Sequence, residues 1–212
     1  MKRTDRQREA ITETSWEVRE AKRLAGDSQG LDDFWEKRWI DDYSFILDEL
    51  PEFGRHGVIA ELINRVVVRG KVLDVGCGTG ILAELIDQER FLYTGIDVSR
   101  TALAIANRKR GRKGVTFVRG RIEEFSPQDQ FSAVVFGEVL YYLEAAKVLR
   151  QVNSWLTPPA MIVASVFSFP EGDALLPLLH QDLDIICEAS VCNSLKSHKW
   201  SVCAGVLKAG AR

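Results

Sequence analysis

Val72-Leu73-Asp74-Val75-Gly76-Cys77-Gly78-Thr79-Gly80 stands where a short apolar run, Lys71 to Val75, gives way to a helical one, Ile81 to Asp87. Glycines at 76, 78 and 80 let the backbone bend tightly and let a ligand approach it closely. The helix that follows offers free N–H groups to an anionic group. A dinucleotide fingerprint, G-x-G-x-x-G, places its last glycine three positions after the second. Here that spacing is two, and residue 81 is Ile. Asp74, two positions before the first glycine, would repel a pyrophosphate and suits a ligand bearing an ammonium or a sulfonium. Asp97 closes the next apolar run, in Tyr93-Thr94-Gly95-Ile96-Asp97-Val98-Ser99. A carboxylate at such a strand end can accept both hydroxyls of a ribose. Ser99 is placed to cap the helix that follows.

From residue 70 onward, strand-like and helix-like runs alternate. Strands are expected at 71–75, 91–96, 115–118, 131–136 and 160–167, and helices at 81–87, 101–108 and about 144–155. That alternation implies a parallel sheet with helices on both faces, and the nearly unbroken apolar strands fit burial on both sides. Leu183 to Val191 and Trp200 to Leu207 are strand-like too, with only Cys192 to Lys199 between them. The gap is too short for a helical crossover, so these two should pair antiparallel at the sheet edge. Ahead of residue 70, a weakly amphipathic helix over 4–24 is broken by Gly26 to Gly30. Residues 31–50 carry the aromatics Phe34, Trp35, Trp39, Tyr43 and Phe45. Pro51 and Gly54 punctuate again, and 56–67 reads as a helix. The chain therefore divides into an N-terminal helical cap or lid, 1–69, and an α/β domain, 70–212.

The length of 212 residues sets an expectation of one main domain. With 46% hydrophobic and 27% charged residues, the chain can bury a core without disulfides or a structural metal. A formal charge of -2 argues against a dedicated nucleic-acid binder. The one basic run, Arg108 to Lys113, falls at a helix C-terminus, where cations complement the dipole. Cys77, Cys187, Cys192 and Cys203 form no C-x-x-C pair, and His56, His180 and His198 do not repeat at ligand spacing with them, so no metal site is expected. His180 and His198 read as surface or satisfied residues. The N-terminus shows no apolar leader, and the longest charge-free stretch, Gln151 to Pro170, is interrupted by polar residues and a Pro pair. A cytoplasmic protein with reduced thiols and no membrane span is expected.

The chain resembles the class I S-adenosylmethionine-dependent methyltransferases over residues 70 to 208. Val72 to Gly80 looks like their first motif, and Gly95 to Ser99 carries their ribose-binding acid. Arg119 to Phe125 occupies the place of the segment beside the adenine, although Arg121 stands where the family often has Asp. Phe131 to Leu143 looks like the fourth-strand motif, and Trp155 to Val163 like the loop into the fifth strand. Glu138 to Leu143 is also similar to a short segment of the NodS-like small-molecule N-methyltransferases. The resemblance implies a Rossmann-like three-layer sandwich with a seven-stranded, mostly parallel sheet and an antiparallel last strand. It implies S-adenosylmethionine as cofactor, held by Asp74, Gly76, Cys77, Gly78, Gly80, Asp97, Val98, Arg121, Ile122 and Gly137, with S-adenosylhomocysteine as product.

On that reading Gly137 to Tyr142 borders the transferred methyl. Glu138 and Tyr142 are the expected catalytic residues, one orienting an ammonium or amine and the other hydrogen-bonding or deprotonating a nucleophile. Trp35, Trp39 and Tyr43 form an i, i+4, i+8 stripe, either packed on the sheet domain or serving with Tyr141 as an aromatic lid beside a cation. Eight acids between Leu31 and Phe53, against Lys37 and Arg38, lean toward a cationic substrate. No large insertion is present, so a small-molecule acceptor is expected, an amine nitrogen ahead of a phenol or acid oxygen. Less favoured readings are a nucleotide-dependent oxidoreductase and a binding protein without turnover.

Overall fold

The computed structural model of the protein describes residues 16–24, 26–43, 50–193 and 198–208. Seven strands, β1 (Gly70–Val75), β2 (Phe91–Asp97), β3 (Val115–Arg119), β4 (Phe131–Gly137), β5 (Leu156–Phe167), β6 (Leu183–Asn193) and β7 (His198–Leu207), form one sheet in the order β3-β2-β1-β4-β5-β7-β6. The first five are parallel, and β7 runs antiparallel between β5 and β6. The sheet is thus Rossmann-like and mostly parallel, with the antiparallel pair at its edge. Strand order reverses between β1 and β4, the point where open α/β sheets leave a crevice at their carboxyl ends.

The pleat sends alternate residues to opposite faces. Val134 and Phe136 of β4 join the core under α5 (Ala145–Asn153), with Val148, Leu149 and Val152. Ala133 and Val135 join the other core, with Ile59 and Ile63 of α2 (Leu50–Val66) and Leu82 and Ala83 of α3 (Ile81–Leu85). Helix α4 (Arg100–Arg110) starts at a Ser99 cap whose hydroxyl accepts from the Ala102 N–H. Short α6 (Pro170–Asp173) and α7 (Leu176–Asp182) follow β5.

Several boundaries differ from the sequence reading. Helix α2 begins at Leu50 and runs through Pro51 and Gly54. Proline is tolerated in a first helical turn, where its missing N–H has no partner to lose. α2 is a layer helix of the sandwich, because Ile59 and Ile63 are fully buried against the sheet. Strand β5 begins at Leu156 rather than 160, paired to Phe131 before a register shift carries it past the two prolines. Of the expected helix over 4–24, residues 16–23 are helical and the first 15 lie outside the described residues. Helix α1 (Ser28–Arg38) ends in a π-helical turn, Trp39–Tyr43.

The basic run is tied into the sandwich. Arg110 Nη1 donates to the Thr79 carbonyl at 3.0 Å, and Arg112 Nη2 to the Ala83 carbonyl at 2.6 Å. Arg110 thus grips the glycine turn itself, and Arg112 the helix that follows it. None of the helices among the described residues is long and apolar enough to cross a membrane.

Candidate active site

The turn after β1 is pinned to the end of β2. Gly76 and Cys77 donate their N–H groups to the Ile96 carbonyl at 2.9 and 3.1 Å. Gly76, Gly78 and Gly80 have φ of 69°, 52° and 76°, the left-handed region that glycine enters without penalty. A Cβ on Gly76 would lie 2.9 Å from a Val139 methyl, so the turn also needs the bare backbone for space.

Asp97 is held from two sides. Its Oδ2 accepts from Gly78 N–H and its Oδ1 from Ser99 N–H, both at 2.9 Å. Burial raises its pKa against these stabilising bonds. Each oxygen keeps a lone pair for a further donor. Asp74 lies behind this surface and does not line the cavity. Its Oδ2 accepts the Tyr93 hydroxyl at 2.6 Å, and burial raises its pKa to about 7. The folded protein therefore binds this proton more tightly than the unfolded chain, so the stability it contributes is lost as pH rises from about 4 to about 7. Asp74→Asn should remove that component. Urea midpoints measured across this range should fall less steeply for the variant than for the wild type, and parallel profiles would reject the burial argument.

These groups open onto a cavity of about 300 Å³ at the carboxyl ends of β1, β2 and β4. Gly76, Cys77, Gly78 and Asp97 line one end, and Val98, Arg121 and Ile122 line the adjoining wall. Gly80, like Asp74, supports the turn without lining the cavity. Arg121 faces Asp32 of α1 at 3.6 Å, so its charge ties this wall to the cap.

Gly137, Glu138, Tyr141 and Tyr142 line the opposite end. A 3₁₀ turn, Leu140–Tyr142, carries both tyrosines. The Tyr141 hydroxyl donates to Glu138 Oε2 at 2.9 Å, whereas the Tyr142 hydroxyl donates to Glu17 Oε2 at 3.0 Å. The phenol beside Glu138 is thus Tyr141. Glu138 also accepts from the Ser165 hydroxyl at 2.9 Å, and burial raises its pKa.

The cap reaches the cavity through Trp35, Trp39, Leu31 and Glu17. Trp35 packs edge-on against Tyr142 with ring centroids 4.7 Å apart. Glu17, 1% exposed, accepts from Arg38 Nη2 at 2.5 Å as well as from Tyr142. Glu36 fastens α1 to the start of α4, accepting from the hydroxyls of Ser99 and Thr101 at 2.7 Å each. Burial alone would raise its pKa, but these bonds outweigh it and leave the carboxyl below the usual range. The π-helical turn breaks the i, i+4, i+8 register after Trp39, and the side chain of Tyr43 lies outside the described residues.

Sequence reasoning missed Glu52, Arg55, His56, Ser165, His198 and Trp200. All but Ser165 line the cavity, and Ser165 bonds to Glu138 beside it. His56 Nδ1 lies 2.9 Å from the Glu52 carbonyl, an N–H donor position, and its Nε2 accepts from Arg55 Nη2 at 3.5 Å. Burial, then the nearby Arg55 charge, holds this ring well below the usual histidine pKa. His198, half-buried, packs edge-on against Phe167 and Trp200 and joins them in the cavity wall, as a satisfied ring. His180, Glu188 and Cys203 bring potential ligand atoms within 4.8 Å of one another, a proximity that follows from the His180–Glu188 contact at 3.1 Å and the β6–β7 pairing of Glu188 with Cys203.

The glycine turn after β1, the acid at the end of β2 and the reversed β7 define the Rossmann-like methyltransferase fold. Residues 72–159 match the family described as a methyltransferase domain. It is 36% identical over 114 residues to a putative methyltransferase of Geobacillus sp., covering 52% of this chain and 42% of that protein. It is 32% identical over 103 residues to a ubiquinone biosynthesis O-methyltransferase of Pseudomonas aeruginosa, covering 46% and 44%. The chain thus spans less than half the length of these curated relatives. The N-methyltransferase NodS of Bradyrhizobium japonicum, crystallised with S-adenosylhomocysteine, shares the fold with a TM-score of 0.70 at 19% identity, over 82% of this chain and 96% of that one.

Proposed function

We propose that the protein transfers a methyl group from S-adenosylmethionine to a nitrogen of a small-molecule acceptor. The observation that carries this reading is one cavity with the glycine turn and Asp97 at one end and Glu138 at the other. The donor set fits the cofactor. Asp97 presents acceptors to ribose hydroxyls, and buried Thr79 Oγ1, which lines the cavity, has no hydrogen-bond partner among the described residues. When bound, the cofactor supplies an electrophilic methyl on a sulfonium. Gly76 to Thr79 and Asp97 hold and orient it, Val98, Arg121 and Ile122 wall its adenine end, and Asp74 braces the turn through Tyr93.

At the other end, Glu138 accepts an N–H of the acceptor and orients the nitrogen lone pair. Once the nitrogen is neutral, positioning and exclusion of water supply most of the acceleration. Trp35 and Trp39 close the cavity, with residues 16–43 acting as the lid. The second reading is a phenolic or carboxylate oxygen acceptor, favoured by the similarity to a ubiquinone biosynthesis O-methyltransferase.

Calorimetry should detect S-adenosylhomocysteine well below a millimolar, the level corresponding to about -4 kcal/mol. No binding at that concentration would reject the cofactor assignment. Labelled cofactor offered with an amine panel and a phenol and acid panel should give turnover with amines, and transfer confined to oxygen acceptors would replace the first reading by the second. In the same complex, amide exchange should slow over residues 31–43 as well as at Gly76 to Gly80. Slowing confined to the glycine turn would return Trp35 and Trp39 to ordinary packing.

A further inference from the structure

Arg55 is a charged side chain buried to 2% exposure on a helix that precedes the sheet. A buried charge persists only where it is paired and hydrogen-bonded. Its Nε and Nη2 donate to Glu52 Oε2 at 3.3 and 3.0 Å. Its Nη1 crosses to β5 and donates to Ser165 Oγ at 3.1 Å. Ser165, itself fully buried, donates its own proton to Glu138 Oε1 at 2.9 Å. The four groups form one chain: Glu52, Arg55, Ser165, Glu138.

Two further features point to this chain as a built device. Glu138 has φ of 60°, a left-handed backbone that costs a non-glycine residue energy and persists only where the surroundings over-determine it. Gly137, next to it, leaves room for the guanidinium, since a Cβ there would lie 3.2 Å from Arg55 Nη1. The strained backbone sends the Glu138 carboxylate to Ser165 and Tyr141, and the bare neighbour admits the cation that compensates it.

We propose that Arg55 is a positioning residue for the transfer: through Ser165 it keeps Glu138 ionised and aims the carboxylate at an acceptor nitrogen that carries an N–H. The inference rests on the methyl-transfer reading above. Glu52, Arg55, Ser165 and Tyr141 act directly on Glu138, and His56 from α2, His198 from β7 and Glu17, bonded to Tyr142, line the same cavity. His56 is held neutral and Arg38 is bonded to Glu17, whereas Arg55 is bonded through Ser165 to Glu138 itself. Burial opposes the Glu138 charge and Arg55 favours it. With both acids ionised, Glu52, Arg55 and Glu138 sum to one negative charge, which favours an amine or ammonium over a carboxylate acceptor.

The test separates the two layers of the reading. Glu138 is followed by carbon NMR of glutamate-labelled protein with S-adenosylhomocysteine bound, its resonance assigned by its loss in Glu138→Gln. Arg55→Met should raise its titration midpoint by about 1 to 3 pH units, the usual influence of a close opposite charge. Arg55→Lys should restore part of the shift, and Ser165→Ala should give a smaller rise in the same direction. The acid limb of kcat/KM for the amine acceptor should move with the midpoint. An unchanged midpoint in folded Arg55→Met, or in Ser165→Ala should that variant alone fold, overturns the proposal. A midpoint that moves while the acid limb stays put leaves Arg55 acting on Glu138 but removes Glu138 from the transfer, which overturns the catalytic consequence. No turnover with any amine, alongside a shifted midpoint, points instead to failure of the acceptor assignment.

Discussion

Replacing Asp97 by alanine is expected to weaken cofactor and product binding by about 1.5–3 kcal/mol, the scale of hydrogen bonds to a charged group, or about ten- to hundredfold. The carboxylate is immobilised by Gly78 and Ser99 before any ligand arrives, so little ordering cost remains when ribose hydroxyls bind. Asp97→Asn should lose less, because the amide keeps one acceptor oxygen. Both variants also leave a buried N–H of the turn less well satisfied. Thermal unfolding of the free protein is therefore needed beside the calorimetry. Unchanged affinity in folded Asp97→Ala would mean that the ribose lies elsewhere.

A larger effect is expected on the rate. Glu138→Gln keeps the side-chain volume and an acceptor for Tyr141 or Ser165 but removes the charge that receives the N–H. The expected loss is about 10²–10⁴ in kcat/KM, the range for a positioned acid–base group, with product affinity little changed. The pH profile of the wild type should share this cause. Burial raises the Glu138 pKa above the ordinary carboxylate range, so activity should fall as pH drops through that raised value. The variant should lack this acid limb. Full activity in Glu138→Gln with the limb retained would remove Glu138 from the reaction.

The outcome for the two tyrosines shows where local reading stops. Residues 141 and 142 are equivalent by composition and neighbour each other, yet the 3₁₀ turn sends Tyr141 to Glu138 and Tyr142 to Glu17. That partner lies 125 residues away, on a helical stretch of the cap. The punctuation read at Pro51 and Gly54 failed for a related reason. Burial of Ile59 and Ile63 against the sheet supports α2 as a whole and carries its first turn through two weak helix formers.

The sheet, its parallel core and antiparallel edge, the glycine turn and the acid at the end of β2 were legible in the amino-acid order, because each follows from short-range pattern: apolar runs of strand length, connection lengths, and glycines where the backbone must turn left-handed. The tertiary structure alone decided the other half of the site. Arg55 meets Ser165 across 110 residues, Glu17 closes on Tyr142, Asp74 turns away to Tyr93, and His198 joins the cavity wall from the start of β7. These are polar and aromatic contacts between elements far apart in sequence. Their residue types carry no periodicity of their own, and they become partners only when burial of the apolar faces brings those elements together.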